Sequence, residues 1–308
     1  MLPISHVDVN GTLHYYKIFG IGKVNLVLEI GLASTIGEWW HIAESLSQKY
    51  TVLLYERSKR TMPKRTPENI ANELFKLLET IPHEETFIIA AHSQGGLYAQ
   101  QFARMYPSSM KGIVFIDPLS AYDNEFKKQL TPKEMQKSGV DKSANLSICK
   151  RLARMHMGGL IKAIMKNAPP FYYYKDFSKD AADYILKTYT DPEFLAAAVE
   201  EYHLAHDPDV LDPLLNQMGF PEIPIALVTH AYEYSVNETI AFGKTTRELA
   251  CKVEDIWQSV MEKYLELCKK NKHFKAQNCG HYIHLTEPWL IDNALQFIDH
   301  NARMDTNS

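Results

Sequence analysis

The sequence predicts an α/β fold in which a mostly parallel central sheet carries helices on both faces and a long helical segment interrupts the alternation. Three observations predict it. Apolar runs of strand length alternate with amphipathic stretches of helix length up to Pro118 and again from Pro224, the rhythm of parallel strands buried on both faces. Residues 119–220 show helical periodicity and no convincing strand. The chain as a whole, 308 residues with 45% hydrophobic and 23% charged side chains, has the balance of a globular protein. The expected organisation is a core from 1–118 and 221–300, an inserted helical cap from 119–220 and a flexible tail at 301–308,.

The elements follow in order. Asn10-Gly11 sits between alternating residues and supplies the two positive φ angles of a type I′ turn, so the chain opens with a β-hairpin,. Residues 24–30 form an apolar run closed by Gly31, and 50–55 form a second. Between them, 38–49 carries apolar residues at helical spacing,. Thr66-Pro67-Glu68 is a helix start, and Ile70, Leu74, Leu77 and Leu78 share one face of a helix over 66–81,. A buried strand at 86–91, a helix at 94–106 and a strand at 112–116 complete the first half. After the insertion come a strand at 224–230, a helix at 255–269, a short strand near 274–277 and a final helix at 289–300.

Composition excludes several classes. At this length roughly three quarters of the unfolded chain's surface is buried on folding, so a core needs no covalent or metal staple. Cys149, Cys251, Cys268 and Cys279 form no C-x-x-C pair and do not alternate with histidine at zinc-ligand spacing, so a reducing compartment is the simpler reading. Thirty-three Lys and Arg against 37 Asp and Glu give a formal charge of −4. No window concentrates cations enough to follow a phosphate backbone, so nucleic acid is not an expected partner. The N-terminus has no basic region followed by a long apolar run, and no stretch reaches membrane-spanning length, so the expectation is a cytoplasmic protein without a spanning segment.

The stretch Ala91-His92-Ser93-Gln94-Gly95 runs from an apolar strand through a serine directly into a helix. That is the pattern of a nucleophile elbow, where residues two before and two after the serine must be small to avoid the neighbouring helix and strand. Ala91 and Gly95 meet the requirement, with alanine where glycine is more frequent. A helix N-cap is the plain structural alternative for Ser93, and His92 reads as packing beside the turn. A nucleophilic serine needs a base later in the chain, and Cys279-Gly280-His281 provides it after the last strand. Histidine suits the role because its ordinary pKa of about 6.5 lets it take and return a proton near neutrality. His284 is the less favoured substitute. Two backbone N–H groups, those of Gln94 and of Leu32 in the Gly31 loop, occupy the positions of an oxyanion hole,.

With these residues in view, the sequence resembles the α/β-hydrolase superfamily, in particular esterase-like and lipase-like members with a helical cap. The resemblance extends through the initial hairpin, the Gly31 loop followed by Trp39-Trp40, Tyr55-Glu56-Arg57, the Ser93 elbow, the cap and Gly280-His281-Tyr282. Two departures concern the pocket mouth: Ile30-Gly31 stands where His-Gly is frequent, and Ser58-Lys59-Arg60-Thr61 replaces a glycine-containing segment. The resemblance implies a serine hydrolase that cleaves a carboxylic ester or related carbonyl substrate through an acyl-enzyme, with a small-molecule substrate and no cofactor or metal. A serine at the elbow argues against the branches that place aspartate there. For the acid that orients the base, the resemblance leaves two positions open: Asp117, at the end of the strand after the elbow helix, and Glu233, beyond the following strand. The Met- and Tyr-rich insertion is expected to line an acyl site through residues such as Met165 and Phe171, and its segment 158–165 has a lipid-surface reading beside that of a buried helix. His203, His206 and Asp207 make a weak metal candidate, without the glutamate of a helix-borne zinc motif,. A slowly hydrolysing or non-catalytic ligand-binding protein of the same fold is the alternative function.

Overall fold

The computed structural model describes residues 1–59, 63–138, 143–217 and 219–305, with side chains given through residue 302. Asn10 and Gly11 have φ of 53° and 79°, so the turn joins β1 (Ser5–Val9) to β2 (Thr12–Phe19) as an antiparallel hairpin. The apolar runs become β3 (Val24–Glu29), β4 (Val52–Glu56), β5 (His83–His92) and β6 (Met110–Ile116), and after the insertion β7 (Ile225–Thr229) and β8 (Asn271–Lys275). They form one eight-stranded sheet in the order β1-β2-β4-β3-β5-β6-β7-β8. Pairing is parallel from β4 onward in that order and antiparallel at the β1/β2 edge and the β2/β4 junction.

Strand side chains alternate between the two faces, and here both faces are apolar because both are covered. Val27, Leu53, Ile89, Ile113, Phe115 and Leu227 point into one cluster with α2 (Pro67–Leu78), α3 (Gly95–Met105) and α12 (Arg247–Leu265). Leu26, Leu28, Leu54, Ile88, Val114, Ile116 and Val228 point into the other, against α1 (Ile36–Leu46) and α14 (Trp289–Asp305). The expected helix starts are present: Thr66 caps α2 by accepting from the Asn69 N–H, with Pro67 in the first turn,.

Between β6 and β7 lie α4 (Asn124–Gln129), α5 (Pro132–Ser138), α6 (Ser143–Arg154), α7 (Gly158–Met165), α8 (Lys179–Thr188), α9 (Pro192–Leu204) and α10 (Pro208–Leu215), with no strand among the described residues. They pack on the sheet's helices by several small apolar clusters instead of one core of their own. Phe126 and Leu130 meet Ile256 of α12, Leu211 and Leu214 meet Leu97 and Tyr98 of α3, and Ile161, Met165 and Phe194 meet Ala33.

Four sequence expectations need correction. A further helix, α11 (Tyr232–Gly243), follows β7, and α12 begins eight residues before the expected 255, because Thr246 accepts from the Leu249 N–H and caps it. A one-turn helix, α13 (Ile283–Thr286), follows the catalytic-loop candidate. Part of the expected tail is helical: α14 continues to Asp305, and 306–308 lie outside the described residues, as do positions 60 and 61 of the segment after Arg57.

Candidate active site

β5 runs parallel between β3 and β6 and delivers Ser93 to the carboxyl edge of the sheet. Ser93 has φ of 53°, a left-handed conformation that L-residues adopt at a cost and that persists where the surroundings enforce it. They do so here. The Ser93 N–H donates to Ile116 O at 3.0 Å, and its carbonyl accepts from the Leu119 N–H at 2.8 Å. Gly95 has no alternative, since a Cβ there would lie 2.4 Å from Glu29 O. Ala91 is fully buried beside the turn. Gly31 lets the next loop approach closely: its Cβ would sit 3.2 Å from Ser93 Cβ. Among the described residues neither the Leu32 nor the Gln94 backbone N–H has an acceptor.

His281 brings Nε2 to 2.9 Å from Ser93 Oγ and Nδ1 to 2.7 Å from Asp117 Oδ2. Because a carboxylate only accepts, Nδ1 carries the ring proton and donates to Asp117, and bare Nε2 accepts from the serine hydroxyl. Asp117 is buried, with φ of 46°, and its N–H donates to Val228 O at 2.7 Å. Burial alone would raise its pKa. The neighbouring His230 charge, then hydrogen bonds from His230 and His281, instead hold it well below the usual carboxylate range,.

His230 was not anticipated. It ends the β7 segment, buried, and donates to Asp117 Oδ1 from both its backbone N–H at 2.9 Å and its Nδ1 at 2.8 Å. Its Nε2 donates to Glu254 of α12 at 3.0 Å, and its ring stacks on Trp257 with centroids 3.9 Å apart. Burial would lower its pKa, but the two carboxylates outweigh that and push it up to about 10. Its sequence signal is nil, because Glu254 is remote in the chain and no local motif joins them.

The other candidates fall elsewhere. Glu233 stands in the first turn of α11, its side chain 65% exposed and ion-paired with Arg247 at 2.7 Å; the end of β7 presents His230 to the site, not this carboxylate. His284 is fully buried, with Nε2 2.9 Å from Glu38 Oε1 and its ring stacked on Trp39. His92 donates from Nε2 to His281 O at 3.0 Å and so steadies that loop from behind. Met165 is buried in the cluster that holds Ala33, with Leu32 packed against it. Phe171 lies edge-on to Phe177. From the same aromatic run it is Tyr173 that reaches the His281 loop, stacking on Tyr282 with centroids 4.7 Å apart. Among the described residues no group of three or more His, Cys, Asp or Glu could hold a metal ion; His206 is 3.6 Å from Asp123 and its Nδ1 donates to Tyr202 O.

Arg57 ties the oxyanion-loop candidate to the insertion. Its guanidinium donates to Ile30 O at 2.5 Å and Gly31 O at 2.8 Å, and pairs with Glu29 at 2.6 Å and with Glu201 of α9 at 2.9 Å.

Residues 24–140, the span that holds the elbow and Asp117, match the family model described as alpha/beta hydrolase fold. Over that span the chain is similar to the α/β-hydrolase family. It is similar to an abhydrolase domain-containing protein, abhd-5.2, of Caenorhabditis elegans, at 24% identity over 78% of this chain and 54% of that protein. It is also similar to the (lyso)-N-acylphosphatidylethanolamine lipase of Mus musculus, at 31% identity over 31% of this chain and 30% of the lipase. The chain therefore spans about half the length of the first relative and under a third of the second. Two solved structures share the fold: the epoxide hydrolase CorEH, with a TM-score of 0.65 and 16% identity over 96% of this chain and 98% of that one, and Est816, described as an N-acyl homoserine lactone degrading enzyme, with 0.58 and 14% over 95% and 99%. These likenesses establish the fold alone. Among the described residues no helix is long and apolar enough to cross a membrane.

Proposed function

We propose that this chain is a serine hydrolase that cleaves a carboxylic ester or related carbonyl substrate through an acyl-enzyme. The observation that carries the reading is the line of hydrogen bonds from Ser93 Oγ to His281 Nε2 at 2.9 Å and from His281 Nδ1 to Asp117 Oδ2 at 2.7 Å. Ser93 Oγ attacks the carbonyl carbon while its proton passes to His281 Nε2, and ionised Asp117 stabilises the imidazolium. Charge on the carbonyl oxygen falls between the free N–H groups of Leu32 and Gln94. The imidazolium returns the proton to the departing alkoxide, leaving Ser93 acylated. Water then attacks the acyl carbon, giving its proton to His281, and the acid product leaves as Ser93 regains a proton.

A lipid-like acyl group is the substrate class best supported. The mouse relative is named for a phospholipid substrate, and the loop bearing Leu32 and Ala33 packs against the apolar side chains of Ile161, Met165 and Phe194. On this reading the insertion caps the acyl site. Ser93→Ala and His281→Ala are each expected to lose ester turnover by up to about a millionfold, and a fluorophosphonate probe should label wild type and not Ser93→Ala. Wild-type turnover by purified Ser93→Ala would overturn the reading. An unlabelled, inactive wild type that still binds acyl ligands would favour the ligand-binding alternative.

A further inference from the structure

Residues 143–175 contain Lys150, Arg151, Arg154, Lys162, Lys166 and Lys175 and no aspartate or glutamate, in a chain whose formal charge is −4. None of the six is ion-paired among the described residues. Apolar side chains stand among them in the open: Ile148, Met155, Met157, Leu160 and Ile164 are 39–58% exposed. The arrangement is two-sided. On α6, Ile148 and Arg151 share the outer face by helical spacing, with Met155 just past the helix end, while Leu152 and Ala153 turn inward,. On α7, Leu160 and Ile164 are outward, while Ile161 and Met165 join the same inner cluster with Leu32 and Ala33.

We propose that the outer face of α6 and α7 docks on an anionic lipid surface. Exposed branched and thioether side chains interleaved with unpaired cations are the composition of an interfacial helix, in which apolar tips enter the acyl boundary and cations meet lipid phosphates. The inner face of the same helices rests on the oxyanion-loop candidate, so a docked surface lies one helix away from the acyl site. The purpose rests on the acyl-hydrolase reading; the binding does not, and its test uses the full chain carrying Ser93→Ala, in which turnover plays no part. Co-sedimentation should be strong with vesicles containing roughly one third phosphatidylserine, weak with phosphatidylcholine alone, and suppressed by salt. Lys162→Gln with Lys166→Gln should lose about fivefold in affinity per cation removed, and Leu160→Ser with Ile164→Ser should lose binding while wild-type Ser93 carrying the same changes keeps its rate on a short water-soluble ester. Binding that ignores the anionic lipid or survives both pairs of substitutions would overturn the proposal. So would a self-association in the starting chain that these substitutions abolish, since that would make a second copy the occupant.

A different observation carries a second inference. Asp117 is the middle of a buried row in which His230 contacts both of its oxygens, at 2.8 and 2.9 Å, and is itself held by Glu254 at 3.0 Å. We infer that His230 and Glu254 are positioning residues for the acid. His230 fixes the carboxylate plane so that Oδ2 faces His281. Alone, its positive charge would cancel the field of Asp117 at His281; Glu254 restores a net single negative charge behind the imidazole. The titratable groups facing this row are Asp117 just past β6, His92 at the end of β5, His281 and Cys279 from the loop after β8, and Glu254 from α12.

The test rests on the acyl-enzyme reading and follows its confirmation with Ser93→Ala. His230→Asn keeps a donor toward Asp117 but loses the charge, so the acid limb of the kcat profile should move up by about one pH unit. Glu254→Gln removes a negative charge and should move it down. His230→Leu, which loses donor and charge together, should lower kcat about ten- to a hundredfold more than His230→Asn at similar KM. A general loosening would shift both limbs alike, so displacement in the same direction, or none in His230→Asn with its thermal transition preserved, would overturn the inference.

Discussion

Two histidine and carboxylate pairs flank His281, and they are opposites. On one side His230 lies between two carboxylates and is held charged, its pKa pushed up to about 10. On the other, His284 meets a single carboxylate, Glu38, and burial wins: His284 is held well below its ordinary range, and Glu38 is pushed up to about 8. Among the described residues the Nδ1 atoms of His92 and His284 have no hydrogen-bond partner there. Similar burial thus gives opposite protonation, with His281 and His41 adding to the effect of burial at His284. One buried carboxylate does not offset the desolvation of an imidazolium, whereas two do.

The largest expected break in this contrast is Asp117→Asn, which removes the carboxylate shared by His230 and His281 and should cost up to about ten thousandfold in turnover, checked by kcat on an aryl ester. On the neutral side, Glu38→Gln replaces a protonated acid with a near-isostere and should leave turnover at pH 7 within about twofold. Its effect is on stability. The folded pKa of Glu38 is raised to about 8 from about 4.3 in the unfolded chain, so the folded state alone holds that proton between those values. Stability from this group is complete below the lower value and falls as pH rises through the upper one, by on the order of a few kcal/mol. Thermal melts from pH 5 to 8 should therefore be flatter in Glu38→Gln than in wild type. The smallest expected effect is Glu233→Gln, an exposed pair with Arg247 whose loss should leave both the thermal transition and turnover unchanged,.

The contrast also explains what the sequence made legible. Strands and covering helices follow from local periodicity, and the elbow follows from small residues fixed at two positions about Ser93, so both are written in contiguous residues. His281 is legible through chain order. The carboxylate beside it was not, because carboxylates follow both β6 and β7, and only the contact of His281 Nδ1 with Asp117 Oδ2, against the exposure of Glu233, shows which one turns inward. His230 and Glu254 meet only in three dimensions. Helix α11 was missed because Val236 is its one buried residue among a polar surround, which leaves little apolar stripe to read.

The Arg57 junction has a consequence for how this chain can change over time. Glu201 holds Arg57 on one side and Arg65 on the other, all three side chains buried. Neutralising Glu201 would remove the carboxylate that the two guanidiniums share, a loss of up to about 3–5 kcal/mol for a broken buried pair, and Arg57, still paired with Glu29, would lose its anchor on α9 while it grips the Ile30 and Gly31 carbonyls. Single-step drift at this junction is therefore closed, and an altered version is reached only by compensated exchange on β4's trailing loop and α9 together. The outer faces of α6 and α7 carry no such linkage, so selection can retune them one residue at a time.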